Sequence, residues 1–562
     1  MHKHRFKANI AQGSALALLL MLSLAGCAES AGESPGLGIA LFTESSPNLN
    51  PIPADMPSVR VILQDHVTGQ VLKHRTFGVA QSGVEFSKLP FSDQLQVVVE
   101  GLDINGNPIL RGKSTPFAFR QSSADRRIPV FFTRLEAFSE ATTLTVGVDG
   151  QPTVQPVRFS VAQSRAGHAQ TPLSGGRILF TGGAVLGQGD GLDLPTLPEG
   201  MELQDVLGAA EVYDPATGSF FALQDMITPR AFHTTTQLAD GRILVVGGVT
   251  IIETDDGPVV ETVRPAEIFD PTTQVWTQVV GDGGLQTGRA WHTATLRRID
   301  SKVVVIGGRS IIRGEGEIVG TAEVFNPIGD RFESNPGGGI IDMQHPRADH
   351  AAVLVRGGSG LGSDIVVIGG RDDDGPVARI ERLRSLNSNT LFEFDDDLPN
   401  MEQPRYGHTS LPISPEGGAL IMSVGGFGED GNGALALEIF DPITGAQGDA
   451  GVLGTGRVWA QAVELPNTQN VMVFGGLDND DDVVPTAEVL IYNADTGRYA
   501  NREIVSLMNA PRFLHQASVL SNGLILLTGG AGPADGGDLE SLNRVEIFNP
   551  NDGSPLPNTI IP

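Results

Sequence analysis

The sequence contains a single cysteine, Cys27, so a disulfide within the chain is excluded and the fold must be stabilised by packing. Basic residues are also scarce, because 38 Lys and Arg face 66 Asp and Glu, which gives a net charge of −28. Nucleic acid is therefore an unfavourable partner, since phosphate binding requires a basic surface, and bare anionic lipid is disfavoured for the same reason. Charged residues make up only 19 % of the chain, which argues against disorder.

The only long apolar run lies near the N-terminus, from Ala15 to Leu24, after a basic start. It is too short for a membrane-spanning helix and predicts a signal peptide over residues 1–26. The segment ends in Leu24-Ala25-Gly26-Cys27, which resembles a bacterial lipobox and implies that Cys27 is lipidated. Residues 27–36 then form a small, polar tether. Because Ala28 follows the cysteine, we expect an outer-membrane lipoprotein in the cell envelope, on the periplasmic or the surface side.

Glycine and proline are abundant instead, with 71 Gly and 36 Pro, and 40 % of the residues are hydrophobic. This composition is typical of an all-β protein with many turns. Residues 37–140 alternate short β-rich runs with turns, and Asn105-Gly106 between two such runs indicates a hairpin. The region predicts a small β-sandwich, similar to immunoglobulin-like or prealbumin-like modules, that serves as a spacer.

A unit repeats seven times after residue 160. Each copy begins with Arg-x-x-His, continues into an apolar run that ends in Gly-Gly, and then has a short strand with a glutamate. The sixth copy has Ala460 in place of the histidine. The doublets are Gly182-Gly183, Gly247-Gly248, Gly307-Gly308, Gly369-Gly370, Gly425-Gly426, Gly475-Gly476 and Gly529-Gly530. Four strands per repeat at this period predict a seven-bladed β-propeller over residues 150–562.

These doublets, the acidic residue that follows and a last-strand aromatic such as Trp276 resemble the Kelch repeat. The resemblance implies a propeller of the Kelch and galactose-oxidase type. Few residues remain for a last strand in the seventh repeat, so we expect Thr153–Val161 to supply it and close the ring.

The repeated arginines and glutamates are candidates for a scaffold rather than for catalysis, because a catalytic site needs one asymmetric group of residues. We predict that each arginine meets a glutamate across strands near the Gly-Gly turn, and we predict no catalytic or cofactor-binding residue. The arginines are Arg165, Arg230, Arg289, Arg347, Arg405, Arg457 and Arg512, and the glutamates are Glu211, Glu267, Glu323, Glu381, Glu438, Glu488 and Glu546.

No cofactor is predicted. Galactose oxidase carries a copper site with a Cys–Tyr cross-link, which this chain cannot form once Cys27 is lipidated. No Gly-x-Ser-x-Gly, His-Glu-x-x-His or Walker-type loop is present. Acidic runs such as Asp372-Asp373-Asp374 and Asp480-Asp481-Asp482 leave Ca²⁺ as a secondary hypothesis against solvated loop charge.

The loops after the Gly-Gly doublets differ in length, and the longest spans residues 184–209. It contains Leu192, Leu194, Leu197 and Met201, which suggests an apolar contact patch or a surface insertion without a function. We therefore expect a lipid-anchored binding or scaffold protein whose propeller loop face contacts an envelope protein or a glycan. The alternatives are a carbohydrate-active enzyme, isomerase- or oxidase-like but without the Cys–Tyr copper centre, and a structural subunit of an envelope complex.

Overall fold

The computed structural model is built from β-strands, with one short 3-10 turn at Ser174–Gly176. No helix among the residues it describes is long and apolar enough to cross a membrane. Cys27 and the tether up to residue 35 lie outside the described residues. The structure describes residues 24–25, 36–42, 56–79, 92–119, 126–146, 152–156 and 163–551, the last range without 190, 195–196, 199, 280–283, 334–340, 357–362, 386–391, 414–419, 430, 466–467, 505 and 534–536.

The N-terminal region forms two packed sheets, as predicted. The small sheet has the order β1-β2-β8, and the larger one has the order β4-β3-β5-β6-β9 with β7 beside β5. Apolar residues at every second position fill the space between them, among them Ile39, Val61, Val97 and Val130. The strands are β1 (Leu24–Ala25), β2 (Gly36–Phe42), β3 (Ser58–Asp65), β4 (Val71–Gly78), β5 (Ser92–Leu102), β6 (Pro108–Lys113), β7 (Phe117–Phe119), β8 (Arg126–Phe131) and β9 (Thr133–Arg134).

Seven antiparallel sheets of at least four strands follow among the described residues, six with four strands and one with a short fifth strand. We call them blades 1 to 7. The first three contain β13 (Ala169–Pro172), β14 (Ile178–Thr181), β17 (Ala210–Asp214) and β18 (Ser219–Ala222); β19 (Thr234–Gln237), β20 (Ile243–Val246), β23 (Glu267–Asp270) and β24 (Val275–Gln278); and β25 (Thr293–Leu296), β26 (Val303–Ile306), β29 (Thr321–Asn326) and β30 (Arg331–Glu333), with β31 (Ile341–Asp342) beside β29.

Blades 4 to 7 repeat this order. They contain β32 (Ala351–Arg356), β33 (Ser363–Ile368), β34 (Ile380–Ser385) and β35 (Phe392–Asp395); β37 (Thr409–Ile413), β38 (Leu420–Val424), β40 (Ala436–Phe440) and β41 (Gln447–Val452); β42 (Gln461–Glu464), β43 (Val471–Phe474), β44 (Ala487–Asn493) and β45 (Arg498–Glu503); and β46 (Gln516–Val519), β47 (Ile525–Thr528), β50 (Val545–Asn549) and β10 (Ala137–Glu140). The prediction of an all-β fold, with a propeller of antiparallel sheets behind a β-sandwich, is confirmed.

The outermost strand of blade 7 comes from the N-terminal side, but not from the segment that the sequence suggested. Ala137–Glu140 pairs with β50, whereas Thr153 and its neighbours lie in β12 (Pro152–Pro156), which pairs with β11 (Thr142–Val146). Phe138 explains why Ala137–Glu140 is the strand that pairs with β50. The centroid of its buried ring lies 4.9 Å from that of Phe548 and 6.1 Å from that of Phe474. Residues 157–161 lie outside the described residues.

The face of the propeller with the Arg-x-x-His segments also carries the loops after the Gly-Gly doublets. Leu194 and Met201 of the long first loop are buried there, and Leu192 and Leu197 pack beside them. The suggested contact patch on this loop is thus internal packing. Short strands extend these loops: β15 (Ala184–Gly187) with β16 (Glu202–Val206), β21 (Val249–Thr254) with β22 (Gly257–Thr262), β27 (Arg309–Ile312) with β28 (Glu315–Ile318), β36 (Arg405–Tyr406) with β39 (Phe427–Gly428), and β48 (Ala531–Pro533) with β49 (Leu539–Ser541).

Candidate functional site

Each blade contains one buried ion pair between the arginine and the glutamate singled out in the sequence. The pairs are Arg165–Glu211, Arg230–Glu267, Arg289–Glu323, Arg347–Glu381, Arg405–Glu438, Arg457–Glu488 and Arg512–Glu546. All seven arginine side chains are fully buried. In blade 4, for example, Arg347 Nη2 donates to Glu381 Oε2 at 2.7 Å, and Arg347 Nη1 donates to the carbonyl oxygen of Gly369 at 3.1 Å. Burial lowers the pKa of these guanidinium groups, and the paired glutamate opposes that shift.

The Gly-Gly doublets form the joints between blades. In the first doublet, Gly183 N–H donates to the carbonyl oxygen of Arg230 in the next blade at 3.0 Å. The last doublet does the same toward the first blade, since Gly530 N–H donates to the carbonyl oxygen of Arg165 at 2.8 Å. A Cβ on the first glycine of any doublet would lie 2.1 to 2.6 Å from such a carbonyl oxygen. Glycine is therefore required sterically at each joint.

Four of the six motif histidines also connect neighbouring blades. His350 Nε2 lies 3.0 Å from Thr293 Oγ1 of blade 3, and His233 Nε2 lies 2.8 Å from Thr181 Oγ1 of blade 1. Burial is the largest cause that lowers the pKa of His350 to about 3, and the charge of Arg347 adds to it. These histidines are thus neutral, internal groups at neutral pH and are unsuited to proton exchange with solvent.

The residues directly before the motif histidines, and before Ala460 in blade 6, lie around the propeller axis. In all seven blades this residue has a left-handed backbone, with φ between 51° and 63°. Six consecutive N–H···O=C bonds of 2.8 to 3.4 Å connect them from blade to blade. We call this set the axial ring, and its members are Gly167, Phe232, Trp291, Asp349, Gly407, Trp459 and Leu514. Large side chains rarely adopt this conformation, at about 1 kcal/mol or more per residue, so the ring is a strained feature of the kind found at functional sites.

One side of the axial ring is aromatic. Phe232 and Trp291 have ring centroids 5.3 Å apart, and both side chains are only partly buried. Gly167 leaves room for its neighbour, because a Cβ there would lie 2.4 Å from the Phe232 ring. Gly407 does the same for Trp459, whose indole Nε1 would lie 2.9 Å from such a Cβ. The two glycines of the axial ring therefore leave space for the aromatic side chain of the next ring position.

The other side of the axial ring is charged. Arg371 Nε donates to Asp349 Oδ2 at 2.7 Å, and Arg371 Cζ lies 4.9 Å from the centre of the Tyr406 ring. Burial raises the pKa of Asp349, and the charges of Arg371 and Arg309 act against this rise. The pKa of Tyr406 is also raised by burial, and the charge of Arg371 counters it. These four residues, which we call the polar sector, occur at blades 3 to 5 and have no equivalent in the other blades.

The sequence reasoning missed this constellation because it followed what the repeats share. Asp349 is the only acidic residue among the seven positions that precede the motif histidine or its Ala460 counterpart, and Arg309 and Arg371 are the only charged residues directly after a Gly-Gly doublet. A comparison of the variable positions within the repeat would have found all three. The proximity of Asp349, Arg309 and Arg371 in space, however, results from the packing of neighbouring blades around the propeller axis.

The acidic loops do not gather into a metal site. Among the residues that the structure describes, no group of three His, Cys, Asp or Glu side chains could hold a metal ion. Asp372 instead accepts hydrogen bonds from the backbone N–H groups of Asp374 and Gly375 at 2.9 and 3.1 Å. Asp478 does likewise for Asp480 and Asp482. These carboxylates shape turns, and the Ca²⁺ hypothesis gains no support from them.

Comparisons with known proteins give distant likenesses. No family profile matches the chain, and no curated protein matches it. A solved structure entitled "Structure of YjhT" is 13 % identical with a TM-score of 0.42, over 61 % of this chain and 99 % of that one. A fungal alcohol oxidase of the AA5 family, in complex with copper, is 16 % identical with a TM-score of 0.48, over 70 % of this chain and 75 % of that one. The copper belongs to that oxidase; the propeller described here follows from this chain's own sheets.

Proposed function

We propose that this protein is a lipid-anchored binding protein of the cell envelope and that its propeller binds a glycan at the axial ring. The observation that carries the proposal is the axial ring itself. It is the place where seven equivalent positions carry five different residue types on a hydrogen-bonded, strained backbone. Strain of this kind persists where the surroundings fix it, and a fixed site loses little conformational entropy when a ligand binds.

The chemistry of the two sides supports a saccharide. Trp291 and Phe232 offer flat apolar surfaces for the apolar face of a sugar ring, with few rotatable bonds to immobilise. Asp349, the next residue of the axial ring after Trp291, and its partner Arg371 offer a carboxylate and a guanidinium for hydroxyl groups. The apolar residues of the longest loop, which could have contacted a protein partner, are already packed inward.

Tryptophan fluorescence tests the proposal directly. The chain has three tryptophans, of which Trp291 and Trp459 belong to the axial ring, while Trp276 is buried in blade 2. A Trp276→Phe variant leaves only the two ring tryptophans as reporters. We expect envelope oligosaccharides from a glycan array to change its emission saturably, and Trp291→Ala to abolish array binding. Array binding that survives both Trp291→Ala and Trp459→Ala would place the site elsewhere; no array binding together with capture of one envelope protein would favour the protein partner.

A second candidate is a carbohydrate-active enzyme, favoured by the polar sector. Asp349 and Tyr406 both have a pKa raised by burial and both lie beside Arg371, which gives two titratable groups with shifted pKa values next to a cation. Turnover of a bound sugar, lost in Tyr406→Phe while binding is retained, would establish the enzyme. Unchanged sugar after prolonged incubation would leave binding as the function.

The membrane attachment is tested separately, at Cys27. We expect the wild-type protein to fractionate with membranes and to incorporate labelled palmitate, and Cys27→Ser to lose both properties. Labelling that persists in the serine variant would contradict the anchor. Sucrose-gradient separation of inner and outer membranes then tests whether the protein is found in the outer membrane, as Ala28 predicts.

A further inference from the structure

A cleft of about 1080 Å³ lies between the sandwich and the propeller, on the face opposite the axial ring. Its sandwich wall is the second face of the larger sheet. Val59, Val61 and Leu63 of β3 point into the sandwich core, so the alternate residues Arg60 and Gln64 point away from it, toward the propeller. The opposite wall consists of turns between the first two strands of blades 7 and 1, with Arg177, Ser521 and Asn522.

The sandwich wall and the propeller wall of the cleft are connected by direct strand and hydrogen-bond contacts. Strand β10 belongs to blade 7 and follows β9 of the sandwich after two residues. Asn549 at the end of β50 donates from Nδ2 to the carbonyl oxygens of Arg111 and Thr133 at 2.8 and 3.2 Å. Its own carbonyl oxygen accepts from Glu136 N–H at 2.7 Å. Because both sheets continue through this joint, the cleft is built by the fold rather than left between two loosely tethered bodies.

The cleft is basic although the protein is strongly acidic overall. Its described lining carries four cationic side chains, Arg60, Arg111, Lys113 and Arg177, and one carboxylate, Glu100. Glu100 is buried between two of them: Arg60 Nη2 lies 2.6 Å from Oε2, and Arg111 Nη2 lies 2.9 Å from Oε1. The buried carboxylate holds the two guanidinium groups side by side, and Gln96 next to it is fixed by bonds to Gln64 and to the carbonyl oxygen of Ser114.

We propose that this cleft binds a small soluble polyvalent oxyanion, that is, a molecule with two or more phosphate or carboxylate groups. Guanidinium groups are suited to such ligands because their planar donors match the spacing of oxyanion oxygens. Low-dielectric walls concentrate the field of the four cations, in contrast to the net charge of −28 on the whole chain. The volume is in the range of small-molecule sites, and Ser521, Asn522 and Gln64 supply further polar contacts.

Isothermal titration calorimetry on the full-length protein in a non-ionic detergent tests this site, with pyrophosphate and citrate as probes at 50 mM NaCl. We expect one site per chain for at least one probe, and the preferred probe distinguishes a phosphate ligand from a carboxylate ligand. Arg60→Gln on the sandwich and Arg177→Gln on the propeller turn should each weaken binding about 10-fold. Arg177 is exposed, so its substitution should leave folding intact.

Arg331→Gln is the matched control, because it removes the same charge from an exposed position on the outer strand of blade 3. Its affinity should equal that of the wild type within twofold. Absence of saturable binding with both probes would overturn the proposal. So would equal weakening in Arg331→Gln and Arg177→Gln, since that would reflect the overall charge rather than the cleft.

Discussion

Arg371 donates its Nε–H to Asp349 Oδ2 at 2.7 Å, and this pair joins a residue that follows a Gly-Gly doublet to a residue of the axial ring in the same blade. The equivalent positions in blade 1 are Ala184 and Gly167, which have no side chain capable of such a bond. One blade of a repetitive scaffold therefore carries chemistry that the others lack. This asymmetry gives the proposed glycan site a charged pair on one side only.

Substitution of Asp349 by Asn should weaken glycan binding about 10-fold and leave the fold intact. Asparagine has the same shape and tolerates the left-handed backbone, so the axial ring persists while the charge-assisted bond to Arg371 is lost. Affinity for the best glycan of the array and the midpoint of thermal unfolding measure both effects. Asp373→Asn, at an exposed position 3.6 Å from Arg309, should change neither. Equal affinities of wild type and Asp349→Asn would remove Asp349 from the site.

The buried ion pairs should be among the most sensitive positions for stability. Glu381→Gln leaves Arg347 without its counter-charge in a fully buried place, which should cost about 3 to 5 kcal/mol. Arg502→Gln breaks an exposed pair with Glu136 and should cost less than about 1 kcal/mol. Urea denaturation gives both free energies of unfolding. Similar small losses of unfolding free energy in the two variants would show that the buried Arg–Glu pairs of the blades contribute little to stability.

Comparison of Gly167→Ala with Gly69→Ala separates the cost of a steric clash from the cost of a left-handed backbone conformation. The φ of +57° at Gly167 would cost a substituted alanine about 1 kcal/mol, and the new Cβ would also lie 2.4 Å from the Phe232 ring. Gly69→Ala has a φ of +67° with nothing within 4 Å, so only the backbone cost applies. We therefore expect a larger loss of stability in Gly167→Ala, together with weaker glycan binding. Identical losses would mean that Phe232 moves aside freely.

Stability should fall as the pH decreases from about 6.5 toward 3. Burial lowers the pKa of His292, His350 and His408 to about 3 in the folded protein, whereas unfolded histidine titrates near 6.5. The unfolded state therefore binds more protons in this window, and the stabilisation present above pH 6.5 is lost at about 1.4 kcal/mol per pH unit for each histidine. Proton uptake on unfolding at pH 5.5 should decrease by about one in His350→Gln.

The strand Ala137–Glu140 should determine the stability of blade 7. Phe138→Ala removes a buried ring that contacts Phe474 and Phe548, which should cost about 3 to 5 kcal/mol. Hydrogen exchange should then increase in β50, whose outer neighbour is lost. Phe221→Ala, at a half-exposed position on β18, should cost less than about 1 kcal/mol. Unchanged exchange in β50 would argue that the ring closes without this strand.

Much of the architecture could be predicted because it depends on local, repeated requirements. A Gly-Gly doublet marks a place where no Cβ fits against the next blade, and this steric demand is the same in all seven copies. The partners Arg347 and Glu381 were identifiable because an arginine buried without a carboxylate would be very costly. The choice of the closing strand was wrong, since Thr153–Val161 and Ala137–Glu140 both have β character and only contact with Phe474 and Phe548 separates them.

The sequence by itself determined the all-β class, the repeat and the pairs within each blade, because hydrophobic period, glycine spacing and charge matching act along the chain. Only the tertiary structure determined which of the positions that vary between repeats lie next to each other. Ring closure brings Trp291, Asp349 and Gly407 into one hydrogen-bonded circle although about 58 residues separate each from the next. It also places the polar second face of β3 against propeller turns more than 100 residues away. These long-range contacts depend on how many sheets pack together and at what angle, and no local sequence pattern specifies either quantity.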